Sequence, residues 1–213
     1  MLKFRPIVTI SFTVVLLAAA GMVFWFNRPS SVLDEYLAAT PPPVPDDTFL
    51  GEQIIPPIPV PEFDLINYSG ERVSADHFKG RVVLLTFAYT SCPDVCPIMF
   101  GRFLELQKEF SEALGEEIEL VFITVDPEVD TPEHLAAHVK AMGGRWYYLT
   151  ESLDVMEQVW DVFNLHVEKE GNLVSHTNLA FLIDDQGLVR VQYLGLPPAS
   201  AFQADIEKIL NGE

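Results

Sequence analysis

The hydrophobic pattern divides the chain into an apolar N-terminal stretch, a proline-rich segment and a longer region of alternating strand-like and helix-like patterns. Residues 7–26 carry no charge. At about 1.5 Å of rise per residue, such a stretch is long enough to cross a hydrocarbon core of about 30 Å as a helix. Nine of the sixteen prolines lie between positions 28 and 61. Such a segment favours an extended, semi-rigid tether over a helix or an inner strand.

The region 62–213 has the size of one ordinary domain. Residues 82–89 and 118–125 are predominantly apolar runs, typical of strands that are covered on both faces. Turn signals at 69–70 and 184–187 predict two hairpins, and Thr131 is placed to cap a helix. The pattern predicts an α/β domain with a thioredoxin-like central sheet flanked by helices. The predicted helices are 97–114, 131–142, 152–163 and 199–210, and the other predicted strands are 63–67, 72–73, 146–149, 179–183 and 188–194.

Lys3 and Arg5 precede the apolar stretch, so the positive-inside rule predicts a cytoplasmic segment at 1–6 and export of everything after residue 26. The small residues at 18–21 resemble a signal-peptide cleavage site, which is the competing interpretation. Because residues 22–26 remain apolar beyond that site, we favour an uncleaved transmembrane anchor at 7–26. The expected location is a bacterial inner membrane, with a tether at 27–61 and the domain at 62–213 in the periplasm.

The charge of the chain limits its partners. The formal net charge is −18, from 31 acidic and 13 basic residues, and every acidic residue follows the apolar stretch. Nucleic acid and anionic lipid headgroups would be repelled by so acidic a surface, so neither is expected as a partner. Solubility of a tethered domain is the plainer explanation for most of this charge.

Cys92 and Cys96 are the only cysteines, and they lie in a turn between a predicted strand and a predicted helix. Pro97 suits a first helical turn, which places Cys96 at or near the helix start and predicts a lowered pKa for its thiol. Cβ atoms at helical i and i+4 positions are about 5–6 Å apart, whereas a disulfide needs roughly 3.5–4.5 Å. The spacing therefore allows a metal site or, after a small adjustment, a disulfide. A purely structural disulfide is less attractive because so short a loop restrains little of the unfolded chain.

Three motifs in this order resemble those of the Sco/SenC family of copper-handling proteins. They are FAYTSCPDVCP at 87–97, TVDPEVDTP at 124–132 and VSHT at 174–177. The resemblance extends from about residue 61 to the end of the chain and includes an N-terminal membrane anchor. It implies a thioredoxin-like fold. It also implies delivery of copper to the binuclear copper site of cytochrome c oxidase subunit II, or reduction of the cysteines of that site.

The resemblance implies that copper is bound by the sulfurs of Cys92 and Cys96 and by the imidazole of His176. The chemistry is consistent with this set, because thiolates are soft ligands that select Cu(I) and an added imidazole also suits Cu(II). In many family members an aspartate precedes the ligand histidine, whereas here the position is Ser175. A carboxylate there would orient or tune the site from outside the ligand set, so its absence concerns the tuning of copper binding and not binding itself.

Two classes of function follow. The first is a membrane-tethered copper metallochaperone that captures copper with these three residues and passes it to a partner domain. The second is a thiol-disulfide oxidoreductase in which Cys92 and Cys96 form the redox pair and His176 is secondary. Redox or copper sensing is a third, weaker hypothesis. The pair His134 and His138 shares a predicted helix face, for which a solvated surface is the simpler interpretation than a metal site.

Overall fold

Ten strands and four α-helices make up the residues that the computed structural model describes, 48–171 and 173–212. The strands are β1 Glu52–Pro59, β2 Asp64–Asn67, β3 Arg72–Ser74, β4 Val82–Ala88, β5 Ile118–Thr124, β6 Tyr147–Thr150, β7 Val167–Glu170, β8 Leu173–His176, β9 Leu179–Ile183 and β10 Leu188–Leu194. The helices are α1 Cys96–Glu109, α2 Pro132–Met142, α3 Leu153–Val162 and α4 Ala199–Leu210. A short 3-10 helix spans Ala75–Phe78.

Eight of these strands form one mixed sheet in the order β1-β10-β9-β4-β5-β6-β2-β3. Strand β5 runs parallel to both of its neighbours, β4 and β6, and the remaining pairs are antiparallel. Every residue of β4 and β5 is buried. The predicted sheet with covered central strands is therefore confirmed.

Aromatic side chains show how the two faces of the sheet are covered. Thr86 is in register with Phe122, and Phe87 with Ile123, so Phe122 and Phe87 point to opposite faces. Phe103 of α1 packs on Phe122, with ring centroids 4.2 Å apart. On the other face, Phe163 at the end of α3 packs on Phe87 at 5.4 Å. Helices therefore shield the central strands on both sides.

The predicted helices and hairpins are largely those observed. Strands β2 and β3, and strands β9 and β10, form the two predicted antiparallel hairpins. Thr131 caps α2 as predicted, because its Oγ1 accepts a hydrogen bond of 3.4 Å from the backbone N–H of His134. Helix α1 is shorter than predicted, since it ends at Glu109 and a series of turns follows.

The sheet extends further towards the N-terminus than the predicted domain boundary at residue 62. Strand β1 lies within the proline-rich segment and pairs antiparallel with β10 at the edge of the sheet. Pro56, Pro57 and Pro59 lack a backbone N–H, which an edge position tolerates and an inner one does not. Proline therefore excludes this segment from the middle of the sheet without excluding it from the sheet.

A buried carboxylate holds the entry into β1. Asp205 of α4 is fully buried and accepts hydrogen bonds from the backbone N–H groups of Leu50, at 2.7 Å, and Gly51, at 3.0 Å. The hydroxyl of Tyr193 donates a third bond at 2.7 Å. Only glycine fits at position 51, because a Cβ there would collide with Val191 and Tyr193. The described chain is thus pinned to α4 and β10 before β1 begins.

The predicted membrane anchor lies outside the described residues, as do the segment at 1–6 and most of the predicted tether. Within residues 48–171 and 173–212, no helix is both long and apolar enough to cross a membrane.

Candidate metal centre

The candidate site lies at one end of the central strands, where three segments meet. Strands β4 and β5 are parallel and end together at Ala88 and Thr124. The cysteine turn follows β4, and the loop 125–131 follows β5. Strand β9 runs antiparallel to β4, with Thr86 opposite Ala180, so β9 begins at the edge where β4 ends. The segment before β9, which carries His176, is therefore brought to the cysteines by the sheet topology.

The two cysteines lie close together in a reduced pair. Cys92 is in the loop after β4 and Cys96 is the first residue of α1. Both are free and buried, with exposed fractions of 9% and 3%. The backbone N–H of Cys96 lies 3.4 Å from the Cys92 sulfur, and the two thiols are also hydrogen-bonded to each other.

The two thiols differ in acidity, and the difference is the reverse of the prediction for Cys96. Burial acts to raise the pKa of Cys92, but hydrogen bonds from the Cys96 thiol and from the backbone N–H groups of Asp94, Cys96 and Val95 outweigh it and lower that pKa. Burial raises the pKa of Cys96 well above its ordinary value, and the hydrogen bond to Cys92 and the charge of Asp130 add to the effect. The prediction of a lowered pKa at Cys96 is wrong, because the N–H groups at the helix start are directed at Cys92.

His176 is held as a neutral imidazole with one free nitrogen. Its Nδ1 lies 3.0 Å from the backbone carbonyl oxygen of Thr177, and since a carbonyl only accepts, Nδ1 carries the proton. The other nitrogen, Nε2, is buried and has no hydrogen-bond partner among the described residues. Burial lowers the pKa of His176, although the bond to Thr177 opposes this. A fixed tautomer with an unused lone pair on Nε2 is the form in which histidine binds a metal.

His176 and Cys92 line the same cavity. This cavity has a volume of about 260 Å³ and is bounded by the cysteine loop on one side and by β8 on the other. Tyr89 lies between the two, with its ring centroid 6.4 Å from that of His176. Cys96 is deeper and does not line the cavity. Among the described residues no three histidine, cysteine or acidic side chains are close enough to hold a metal as they stand. The fold thus brings the cysteines together and places His176 across a cavity from Cys92.

A buried carboxylate fixes the loop in front of Cys92. It belongs to Asp130, which the sequence places only within the motif at 124–132. Asp130 is fully buried. It accepts hydrogen bonds from the backbone N–H of Thr90, at 3.2 Å, from the hydroxyl of Thr90, and from the hydroxyl of Thr124, at 2.6 Å. Because Thr90 belongs to the cysteine loop and Thr124 ends β5, Asp130 ties these two segments together.

The histidine pair on α2, His134 and His138, is divided between the surface and an aromatic cluster. The ring of His138 packs against Phe100, with centroids 4.8 Å apart, and its Nε2 is buried. His134 lies one turn earlier on α2 and is exposed. His138 is therefore part of an aromatic cluster, so the solvated surface predicted for this pair holds for His134 only.

A free cysteine pair at a strand-to-helix turn, in a mixed sheet that helices cover on both faces, is the arrangement of a thioredoxin-like protein. Residues 55–211 match the family described as SCO1/SenC. The chain therefore belongs to the SCO1/SenC family, and its fold is the mixed α/β, thioredoxin-like fold of Sco proteins.

Individual relatives agree with this assignment. The SCO2-like protein of Rickettsia prowazekii (strain Madrid E) is 32% identical over 132 residues, which are 59% of this chain and 64% of that protein. The crystal structure of Arabidopsis thaliana ScoI with copper bound has a TM-score of 0.64 at 26% identity, covering 71% of this chain and 98% of that one. BsSco has a TM-score of 0.63 at 27% identity, covering 77% and 99%. BsSco is described as a member of the Sco family of cytochrome c oxidase assembly proteins with a disulfide switch. The chain spans less than two thirds of the length of the first curated relatives that it matches.

Proposed function

We propose that this protein is a membrane-anchored copper metallochaperone that carries copper on Cys92, Cys96 and His176. Its acceptor is the binuclear copper site of cytochrome c oxidase subunit II or a similar copper domain. The observation that carries the proposal is the free, buried Nε2 of a neutral His176 beside the cavity that Cys92 lines. A buried nitrogen without a partner is costly unless a ligand uses its lone pair.

The donor set suits copper as a cargo. Two thiolates and one imidazole are soft enough to select Cu(I) and can also hold Cu(II). Cys92 has the lowered pKa and is the sulfur at the cavity, so it makes the first contact and loses its proton first. Cys96 keeps its proton until a cation is present, because burial favours the neutral thiol. Capture then draws His176 and the sulfurs together around the ion.

The openness of the site supports transfer. A cavity of about 260 Å³ is several times the roughly 30 Å³ that one water molecule occupies, so an acceptor side chain can enter beside the ion. A three-ligand site in which Cys92 and His176 face an open cavity leaves room for ligand exchange, whereas a closed four-ligand site retains its metal. The copper-bound structure of Arabidopsis thaliana ScoI supports the choice of copper as cargo.

The alternative function, a thiol-disulfide oxidoreductase, is favoured by the unequal acidity of the two thiols. In that reaction the Cys92 thiolate attacks a disulfide of the acceptor and releases one acceptor thiolate. Cys96 then loses its proton and attacks the sulfur of Cys92, which forms the Cys92–Cys96 disulfide and releases the second acceptor thiolate. The acceptor gains two electrons and this chain loses two. The disulfide switch described for BsSco supports this candidate.

Copper binding by the reduced full chain in detergent tests the proposal. We expect one copper ion per chain, and we expect His176→Ala to lower the copper affinity by about tenfold or more while thiol exchange is largely retained. His134→Ala is the matched control, because His134 is exposed on α2 and does not line the cavity. Unchanged copper affinity in His176→Ala would remove His176 from the ligand set and leave the oxidoreductase as the better function.

A trapping experiment tests the alternative. With a peptide that carries the oxidised cysteine pair of the acceptor copper site, Cys96→Ser should accumulate a mixed disulfide through Cys92. Cys92→Ser should form none, since the remaining thiol is buried and has a raised pKa. Equal trapping by both variants would contradict the assigned roles.

The proposed location is a bacterial inner membrane with the domain in the periplasm. The uncharged stretch at 7–26, preceded by Lys3 and Arg5, supports this placement. Protease treatment of spheroplasts should digest the domain without membrane rupture. Resistance until the inner membrane is broken would place the domain in the cytoplasm.

A further inference from the structure

The hairpin that carries His176 has one cation at its centre. Strands β7 and β8 pair with each other and do not join the main sheet. Lys169 of β7 lies opposite Val174, two positions before His176. Its Nζ is 2.7 Å from Oδ1 of Asp126 and 2.7 Å from Oε2 of Glu128. Lys169 therefore connects this hairpin to the loop that follows β5.

The carboxylate of Asp126 is held in place and is buried, so it needs a cation or hydrogen-bond donors beside it. Its side chain is only 2% exposed. The backbone of Asp126 is also fixed, because its carbonyl accepts hydrogen bonds from the N–H groups of Val129 and Asp130. A buried carboxylate is costly unless a cation or hydrogen-bond donors compensate it. The Nζ of Lys169 supplies that cation from the hairpin, so departure of the hairpin would leave the carboxylate of Asp126 without it.

The hairpin has a further polar attachment to the rest of the domain. Val174 is buried, and its backbone N–H is hydrogen-bonded to the hydroxyl of Tyr89, which follows β4. The bond from the N–H of Thr177 to the carbonyl of His166 joins the two ends of the hairpin to each other. No ladder of backbone hydrogen bonds fixes the hairpin on the sheet, since it forms a separate two-stranded unit. The ion pair is thus the charged contact that ties the hairpin to the loop after β5, and it acts together with the hydrogen bond between Val174 and Tyr89.

We propose that Lys169 is a positioning residue for the copper site: by pairing with Asp126 and Glu128 it holds the hairpin so that His176 stands across the cavity from Cys92. This inference rests on the proposed function, because it assigns Lys169 a role through the proposed ligand His176. The Asp126 carboxylate is buried although Lys169 is partly exposed, so this contact carries most of the effect, whereas Glu128 is exposed and its contact is weakened by salt.

The test compares Lys169→Met with Lys169→Arg and with the control Lys140→Met in the full chain in detergent. Lys140 is exposed on α2 and has the same side chain at a site remote from the hairpin. Hydrogen exchange of residues 166–171 and 173–177 is measured in the copper-free protein. We expect about tenfold faster exchange, equivalent to about 1.4 kcal/mol, in Lys169→Met only, with recovery in Lys169→Arg.

Copper binding supplies the second measurement. Lys169→Met should lower the copper affinity by about tenfold and weaken the nitrogen coupling in the electron paramagnetic resonance spectrum of the Cu(II) form. Lys169→Arg should restore both, because it keeps the cation. Since Lys169→Met leaves a buried carboxylate unpaired, the double variant Lys169→Met with Asp126→Asn removes both charges. It should recover global stability and keep the fast hairpin exchange.

The outcomes separate this inference from the proposed function. If hydrogen exchange in the hairpin is unchanged in both Lys169→Met and the double variant, the role of Lys169 is overturned, whatever the copper affinity of these variants. Fast exchange with unchanged copper affinity and nitrogen coupling also overturns it, because the hairpin would then be held without positioning a ligand. If His176→Ala itself leaves copper binding unchanged, the proposed ligand set fails, and the exchange measurement still decides whether Lys169 holds the hairpin.

Discussion

Replacing Asp130 with alanine is expected to destabilise the domain and loosen the cysteine loop. The carboxylate accepts three hydrogen bonds, two from Thr90 and one from Thr124. A buried donor left without a partner costs about 1–3 kcal/mol. The variant also removes the cost of burying a charge, and the hydroxyls can turn to other acceptors, so we expect a net loss of about 3–5 kcal/mol. That is a large share of the roughly 5–15 kcal/mol by which domains are stable.

The pH dependence of this effect has a definite sign. Burial raises the pKa of Asp130, although its hydrogen bonds to Thr124 and Thr90 oppose the shift. An acid whose folded-state pKa is raised contributes stability that is fully present below the unfolded pKa and is lost as pH rises through the folded pKa. Asp130→Asn cannot ionise. The free energy of unfolding of the wild type minus that of Asp130→Asn should therefore fall as pH rises from about 4 towards neutrality.

Urea denaturation followed by the fluorescence of Trp146 and Trp160 measures both effects. Glu157→Ala is the control, since Glu157 is an exposed acidic residue on α3. A cost below about 1 kcal/mol for Asp130→Ala would mean that the loop does not depend on this carboxylate. A difference between wild type and Asp130→Asn that grows with pH would refute the assigned direction of the pKa shift.

Three further predictions follow from the described contacts. Iodoacetamide should label Cys92 before Cys96 in the folded protein, with a pH midpoint below the value of about 8.5 for a free cysteine; labelling of Cys96 first would contradict the order. Gly51→Ala should lower the melting temperature, because the new Cβ collides with β10, and an unchanged melting temperature would mean that β1 shifts freely. Thr86→Val should cost about 1 kcal/mol in urea denaturation, because its hydroxyl donates a 2.8 Å bond to the carbonyl of Leu179; a loss within error would show that this bond adds nothing net.

Periodicity predicted the sheet and helices because the strongest patterns are also the most buried. Strands β4 and β5 are mostly apolar and buried throughout, and both are central. Strand β1 was not predicted, since its stability comes from pairing with β10 and from Asp205, far along the chain. The hairpin of β7 and β8 was not predicted either. Most of the residues of β7 are exposed, so the strand has no apolar alternation to reveal it.

The position of the cysteine pair in the fold was predicted from the sequence, whereas the acidity of its thiols was not. Cys92 and Cys96 stand at a strand-to-helix turn, as their spacing and Pro97 indicated. The acidity of the two thiols could not be predicted, because it depends on where the helix-start N–H groups point. The ion pair of Lys169 with Asp126 joins residues 43 positions apart, and no local pattern signals such a contact.

The anchoring of Leu50 and Gly51 by Asp205 has a practical consequence for protein production. A shortened version that begins at residue 62, the boundary predicted from the proline content, would lack β1 and would remove the backbone N–H donors of Leu50 and Gly51 from Asp205. The exposed edge of β10 would then be free to pair with another copy and promote aggregation. A soluble version suited to copper titration should therefore begin before Thr48, so that strand β1 and the hydrogen bonds of Leu50 and Gly51 to Asp205 are both retained.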